Sequence, residues 1–129
     1  MDLGELTRAL AQFRDERDWA RFHTLRNLIV SLNLEAAELL ELTQWKDDAG
    51  VAALLADNGG LEALRDECAD VLLYLLMIAE KGGFDLLDAA AAKLEKNARR
   101  YPVEACRGSS RKYTQFGPAA PDTRAGRVV

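Results

Sequence analysis

Two pairs of carboxylates carry the clearest chemistry in the sequence: Glu35-Ala-Ala-Glu38 and Glu67-Cys-Ala-Asp70. Both lie in stretches whose apolar residues recur at helical spacing, and side chains three apart on a helix project from one face. Each pair therefore aims two acids in nearly the same direction. Glu35 follows Leu28 and Leu32 along an apolar stripe, and Asp70 directly precedes the most apolar segment, residues 71–79. Acids so placed repel each other and lose hydration unless something positive compensates them. Four oxygen ligands with no imidazole and no thiolate suit a hard cation, Mg²⁺ or Mn²⁺, rather than zinc or copper. Two antiparallel helices would bring the pairs together around one or two such ions. Glutamates three apart are also common on solvated helix faces, which is the alternative reading of each pair taken singly.

Other groups surround these acids. Trp19, Phe22 and Trp45 gather at the two ends of the helix that bears Glu35 and Glu38. They read either as ordinary packing or as a stacking box for a nucleobase. His23 has no acid or nucleophile beside it in sequence and reads as a hydrogen-bonding or capping residue rather than a catalyst. Lys93 and Asn97 share one face of the last long helix, with Arg99 and Arg100 following. They could hold phosphate oxygens, or form the solvated basic C-terminus that a helix dipole favours. Cys68 lies between ligand candidates and is expected to face the core.

The elements that must position these groups are all helical. Apolar residues Leu3, Leu6, Ala9, Leu10 and Phe13 mark a first helix that stops in the charged stretch 14–18. Thr24 is placed to cap a second helix, which runs from Leu25 to near Trp45. A break at residues 46–50, a short apolar piece over 51–56 and a turn at Asn58-Gly59-Gly60 precede a third long helix, about 61–81. The near-continuous apolar character of residues 71–79 predicts burial on several sides. Gly82 and Gly83 close that helix. Asp85 can cap the last one, which ends before Pro102. The expected architecture is all-α and four-helix-bundle-like. It consists of a helical domain over 1–106 and an irregular tail over 107–129, whose first part packs near the site and which is mobile beyond Gly117.

Composition narrows the function classes. The chain has 129 residues, enough for one domain, and 49% of them are hydrophobic. With 17 basic and 21 acidic side chains its net charge is −4, which argues against binding nucleic-acid polymers or anionic membranes. The single histidine excludes His-rich metal sites. The two cysteines, Cys68 and Cys106, are too far apart for a C-x-x-C motif. There is no signal-peptide pattern and no membrane-length apolar run, so a cytoplasmic location is expected.

The order of the motifs resembles the MazG-like all-α nucleoside triphosphate pyrophosphohydrolases, and within them the dCTP pyrophosphatase branch. The residues that carry the likeness are the stretch from Phe13 to His23, Arg26-Asn27-Leu28, the E-x-x-E and E-x-x-D pairs and Gln44-Trp45. The run from Asp70 to Tyr74, Arg99-Arg100-Tyr101-Pro102 and Ser110-Arg111-Lys112-Tyr113 complete it. The resemblance implies a homotetramer built as a dimer of dimers, with sites between subunits. It implies Mg²⁺-dependent hydrolysis of a deoxynucleoside triphosphate, such as dCTP or a modified dCTP, to monophosphate and pyrophosphate, cleansing the nucleotide pool. Glu35, Glu38, Glu67 and Asp70 match the metal ligands. Trp19, His23 and Trp45 match nucleotide-binding positions, and Tyr74, Lys93 and Asn97 match residues around the sugar and triphosphate. Leu10 stands where the branch often has His, and Leu34 where it tends to have Gly. Leu10 offers no hydrogen bond to a base edge, so a looser pyrimidine preference is expected. The alternatives are a dUTP or modified-purine pyrophosphohydrolase, or a non-catalytic helical interaction module.

Overall fold

The computed structural model describes residues 1–110, and all regular structure among them is helical. In chain order these are α1 (Leu3–Asp15), a 3₁₀ turn (Ala20–Phe22), α2 (Leu25–Glu41), α3 (Asp48–Ala56), α4 (Asn58–Gly82), α5 (Leu86–Arg100) and the short α6 (Val103–Cys106). The expected mobile stretch beyond Gly117 lies outside the described residues, as does all of the tail from position 111 on.

The helix starts are set by side chains that accept the free N–H groups of a first turn. Asp2 accepts from the Glu5 amide, while the Glu5 side chain accepts in return from the Asp2 amide, a capping box that fixes α1. Thr24 accepts from the Asn27 amide and starts α2 as its sequence predicts. Asp47 and Asp57 accept from the Gly50 and Gly60 amides at 2.8 and 2.9 Å. These two aspartates correct the sequence reading. Asp47 starts a helix inside what looked like a break, and Asp57 turns Asn58-Gly59-Gly60 into the first turn of α4 rather than a loop. Gly60 is required there, because a Cβ at that position would lie 2.3 Å from the Leu54 carbonyl oxygen of α3. At the other end α4 closes on Gly83 in the left-handed region, φ 71°. Asp85 immediately precedes α5. The second helix ends sooner than expected, at Glu41, and residues 42–45 form turns.

The chain divides into two compact units, residues 1–86 and 87–129. In the first, α2 makes the most extensive packing on α4, and α1 and α3 each add a smaller face to α4. The buried apolar residues are Leu28 of α2 and Leu76, Met77 and Ala79 of α4, with Leu28 only 2% exposed. The apolar run of α4 is therefore only partly covered: residues 71–75 and Ile78 remain half-buried. On α2, Ile29, Val30, Leu34 and Leu40 are exposed, Leu40 by 61%. Cys68 is also exposed, contrary to the core position expected of it. The described part of the second unit holds α5 from Leu87 on and α6; Lys93 is exposed and Asn97 half-buried on one face of α5.

Candidate metal and nucleotide site

α2 and α4 run antiparallel, and their register explains the site. Toward one end, Leu28 and Met77 wall a common cavity. Further along α2, Glu35 and Glu38 meet Glu67 of α4, with one potential ligand atom from each carboxylate lying within 4.8 Å of the others. Three of the four carboxylates of the two motifs thus meet across α2 and α4. Asp70 is not part of that threesome. It lies one turn beyond Glu67, and its charge reaches both Glu35 and Glu67.

The electrostatics are those of an uncompensated acidic cluster. Burial, followed by the charges of Glu38 and Asp70, pushes the Glu35 carboxyl above its ordinary value. Burial, followed by Glu38, Asp70 and Glu35, does the same to Glu67. Glu38 places a carboxylate oxygen within 4.8 Å of one from each. The Glu67 Oε2 atom is buried with no hydrogen-bond partner. A buried carboxylate oxygen with no protein donor, set among other carboxylates, suits a cation. The donor set is all oxygen, so Mg²⁺ or Mn²⁺ fits and a soft metal does not.

The cavity beyond Leu28 and Met77 measures about 440 Å³, with Arg14, His23, Glu80 and Lys81 also on its wall. Burial, with the positive charges of Arg14 and Lys81, holds the His23 imidazole below its ordinary value, so the ring is neutral at pH 7. Its Nδ1 is buried and has no hydrogen-bond partner. The Trp19 ring lies 6.5 Å from His23 and packs edge-on against Phe13 at 5.8 Å. Arg17 stacks its guanidinium on Phe13 at 3.6 Å.

Trp45 stands apart from this aromatic group. It follows α2 where Trp19 precedes it, is 94% exposed, and makes no ring contact among the described residues. Its backbone is in the left-handed region, φ 64°. That conformation costs a bulky residue about 1–2 kcal/mol, and strain of this kind concentrates where a side chain has a task. Tyr74 lies one turn after Asp70 on α4 and is half-buried.

Sequence reasoning passed over Arg14 and Glu80. Arg14 is one turn after Leu10 on the inner face of α1, and Glu80 is a charge that ends the apolar run of α4. A charged residue closing an apolar segment was the available signal.

These helices and this cluster define an all-α fold built to hold carboxylates in register. Residues 30–116 match the MazG-like family, and the chain belongs to it. It is 43% identical over 114 residues to the dCTP pyrophosphatase 1 of Rattus norvegicus, covering 88% of this chain and 67% of that protein. It is 42% identical to the dCTP pyrophosphatase 1 of Homo sapiens over the same shares of each chain. The crystal structure of a pyrophosphatase from Archaeoglobus fulgidus superposes with a TM-score of 0.71 at 40% identity, covering 77% of this chain and 91% of that one.

Proposed function

We propose that the chain is a nucleoside triphosphate pyrophosphohydrolase, with dCTP or a modified dCTP as its substrate class and nucleotide-pool cleansing as its role. The observation that carries this reading is the meeting of Glu35, Glu38 and Glu67, with one oxygen of each within 4.8 Å of the others, beside a Glu67 Oε2 atom that is buried with no hydrogen-bond partner. It is supported by relatives named as dCTP pyrophosphatases. Glu35, Glu38 and Glu67, with Asp70, would hold Mg²⁺ or Mn²⁺. A bound divalent cation neutralises triphosphate charge and polarises the phosphorus under attack.

The chain's own residues do the rest. Water oxygen forms a bond to the α-phosphorus, and the bond from that phosphorus to the oxygen bridging toward the β-phosphorus breaks. Pyrophosphate leaves, and one carboxylate of the cluster takes up the water's proton. Trp19 and His23 line the base side, and Tyr74 serves the sugar. Lys93 and Asn97 are kept as phosphate-holding groups on side-chain chemistry and family pattern alone.

The active form is an oligomer, a tetramer built as a dimer of dimers. What supports it is the exposed apolar side of α2 and the half-covered run of α4, since apolar side chains gathered on one face mark interaction surfaces. Trp45, exposed and held in a strained backbone, would stack on the base in a neighbouring copy's site. Among the described residues no helix is long and apolar enough to cross a membrane, and the enzyme acts in the cytoplasm.

Hydrolysis of dCTP in water labelled with heavy oxygen tests the reaction. The expected products are labelled dCMP and unlabelled pyrophosphate. Orthophosphate with dCDP, or label in pyrophosphate, would contradict attack at the α-phosphorus.

A further inference from the structure

Arg14 and Glu80 form an ion pair that joins distant parts of the chain, with Nη1 donating to Oε2 at 3.1 Å. The pair lies on the wall of the cavity shared by α1, α2 and α4. The position of that cavity relative to the acids is fixed by helix geometry. Leu28 precedes Glu35 by seven residues on α2, and Met77 follows Asp70 by seven on α4. Seven residues are close to two turns, so each residue is on the face of its acid and about 10 Å along the axis from it. A nucleotide laid along the two helices would thus put its base in the cavity and its phosphates at the carboxylates.

Resting on the pyrophosphohydrolase reading, we propose that the Arg14–Glu80 pair reads the Watson–Crick edge of the base and selects cytosine over uracil and thymine. The argument is one of donors and acceptors. Cytosine presents an amino donor at N4 followed by acceptors at N3 and O2. A carboxylate is the natural acceptor for the N4 amino group. Arg14 spends Nε on Asp15 at 2.8 Å and Nη1 on Glu80, which fixes its plane and leaves Nη2 to donate toward N3 and O2. Uracil and thymine place a carbonyl where the amino group would be and an N–H where N3 accepts. Against them Glu80 meets an oxygen and Arg14 meets a hydrogen, and both contacts are repulsive, which disfavours the wrong base. Adenine offers the amino donor and one ring acceptor but no third group. The pair also supplies what Leu10 cannot. Arg14 sits one turn further along the same face of α1.

The test is equilibrium binding of dCMP and dUMP, which needs no turnover, by calorimetry on the intact protein. Wild type is expected to bind dCMP at least tenfold more tightly than dUMP. Glu80→Gln keeps the size and can still accept from Arg14, but its amide can also donate to the uracil carbonyl. The dCMP-to-dUMP ratio should then fall toward one, chiefly by a gain in dUMP affinity. Arg14→Lys keeps the charge and loses the planar fork, and should weaken dCMP several-fold more than dUMP. Equal wild-type binding of the two nucleotides, or a ratio unchanged in Glu80→Gln with its helix content and melting temperature intact, would overturn the proposal. Triphosphate hydrolysis measured in parallel separates the two readings. Selective dCMP binding without any turnover would refute the pyrophosphohydrolase and support the edge reader; turnover with an unchanged ratio would do the reverse.

Discussion

Glu35 on α2 and Glu67 on α4 come from different helices, yet each places a carboxylate oxygen within 4.8 Å of one from the same third acid, Glu38. Burial and the clustered charges, that of Glu38 among them, raise the Glu35 and Glu67 carboxyls above their ordinary values, which makes Glu38 the most informative position to change. Glu38→Gln preserves size and helix propensity and removes a charge. Turnover at saturating Mg²⁺ should drop by at least about two orders of magnitude, because metal-assisted charge stabilisation contributes several kcal/mol. Steady-state kinetics check it; wild-type turnover would remove Glu38 from the site.

The same substitution should alter the pH dependence of stability. Glu35 and Glu67 have folded values raised above the ordinary 4.5. Between the two values the folded state binds more protons than the unfolded one, so these acids lower stability as pH rises above 4.5. Removing the Glu38 charge relieves that repulsion. In the presence of a chelator, the melting temperature of Glu38→Gln minus that of wild type should grow as pH rises from 4.5 to 7. A difference that is flat or shrinks with pH would mean the acids do not repel one another.

Trp45 is expected to act through the base and not through the metal. Stacking on an aromatic ring contributes roughly 1–3 kcal/mol per base. Trp45→Ala should therefore raise KM by about tenfold to a hundredfold, while Mn²⁺ affinity, followed by its paramagnetic signal, stays at the wild-type value. An unchanged KM on the best substrate would leave Trp45 without a role.

Assembly should be visible without any substrate. Light scattering at micromolar concentration is expected to give the mass of a tetramer, and replacing Leu34 and Leu40 by Glu should lower it. A wild-type monomer would leave the exposed face of α2 unexplained and Trp45 without a neighbouring site.

The helical class, the meeting of the two acidic motifs and the caps at Thr24 and Gly83 could be read from local pattern. Each depends on residues three or four apart, or on a single terminal residue. The extra turn of α4 could not, because Asn-Gly-Gly reads locally as a turn, and the approach of the Leu54 carbonyl from α3, which leaves no room for a side chain at Gly60, is set by tertiary packing. The exposure of Cys68 and of α2's outer face escaped for a different reason: periodicity identifies an apolar stripe but not whether the same chain covers it. The aromatic residues were read as one cluster because both ends of α2 carry tryptophan, and a 17-residue helix separates the two. The Arg14–Glu80 pair was invisible for the plainest reason, since a contact across 66 positions is set by tertiary packing alone.

We propose that this acidic cluster runs a metal-dependent hydrolysis of deoxynucleoside triphosphates. Its most direct test is the release of pyrophosphate from an equimolar mixture of the four common deoxynucleoside triphosphates, with and without Mg²⁺, by wild type and Glu38→Gln. The account predicts pyrophosphate from wild type only when Mg²⁺ is present, dCTP depleted first, and at most about a hundredth of that rate from the variant. Equal release with and without Mg²⁺, or none from wild type in its presence, would contradict it.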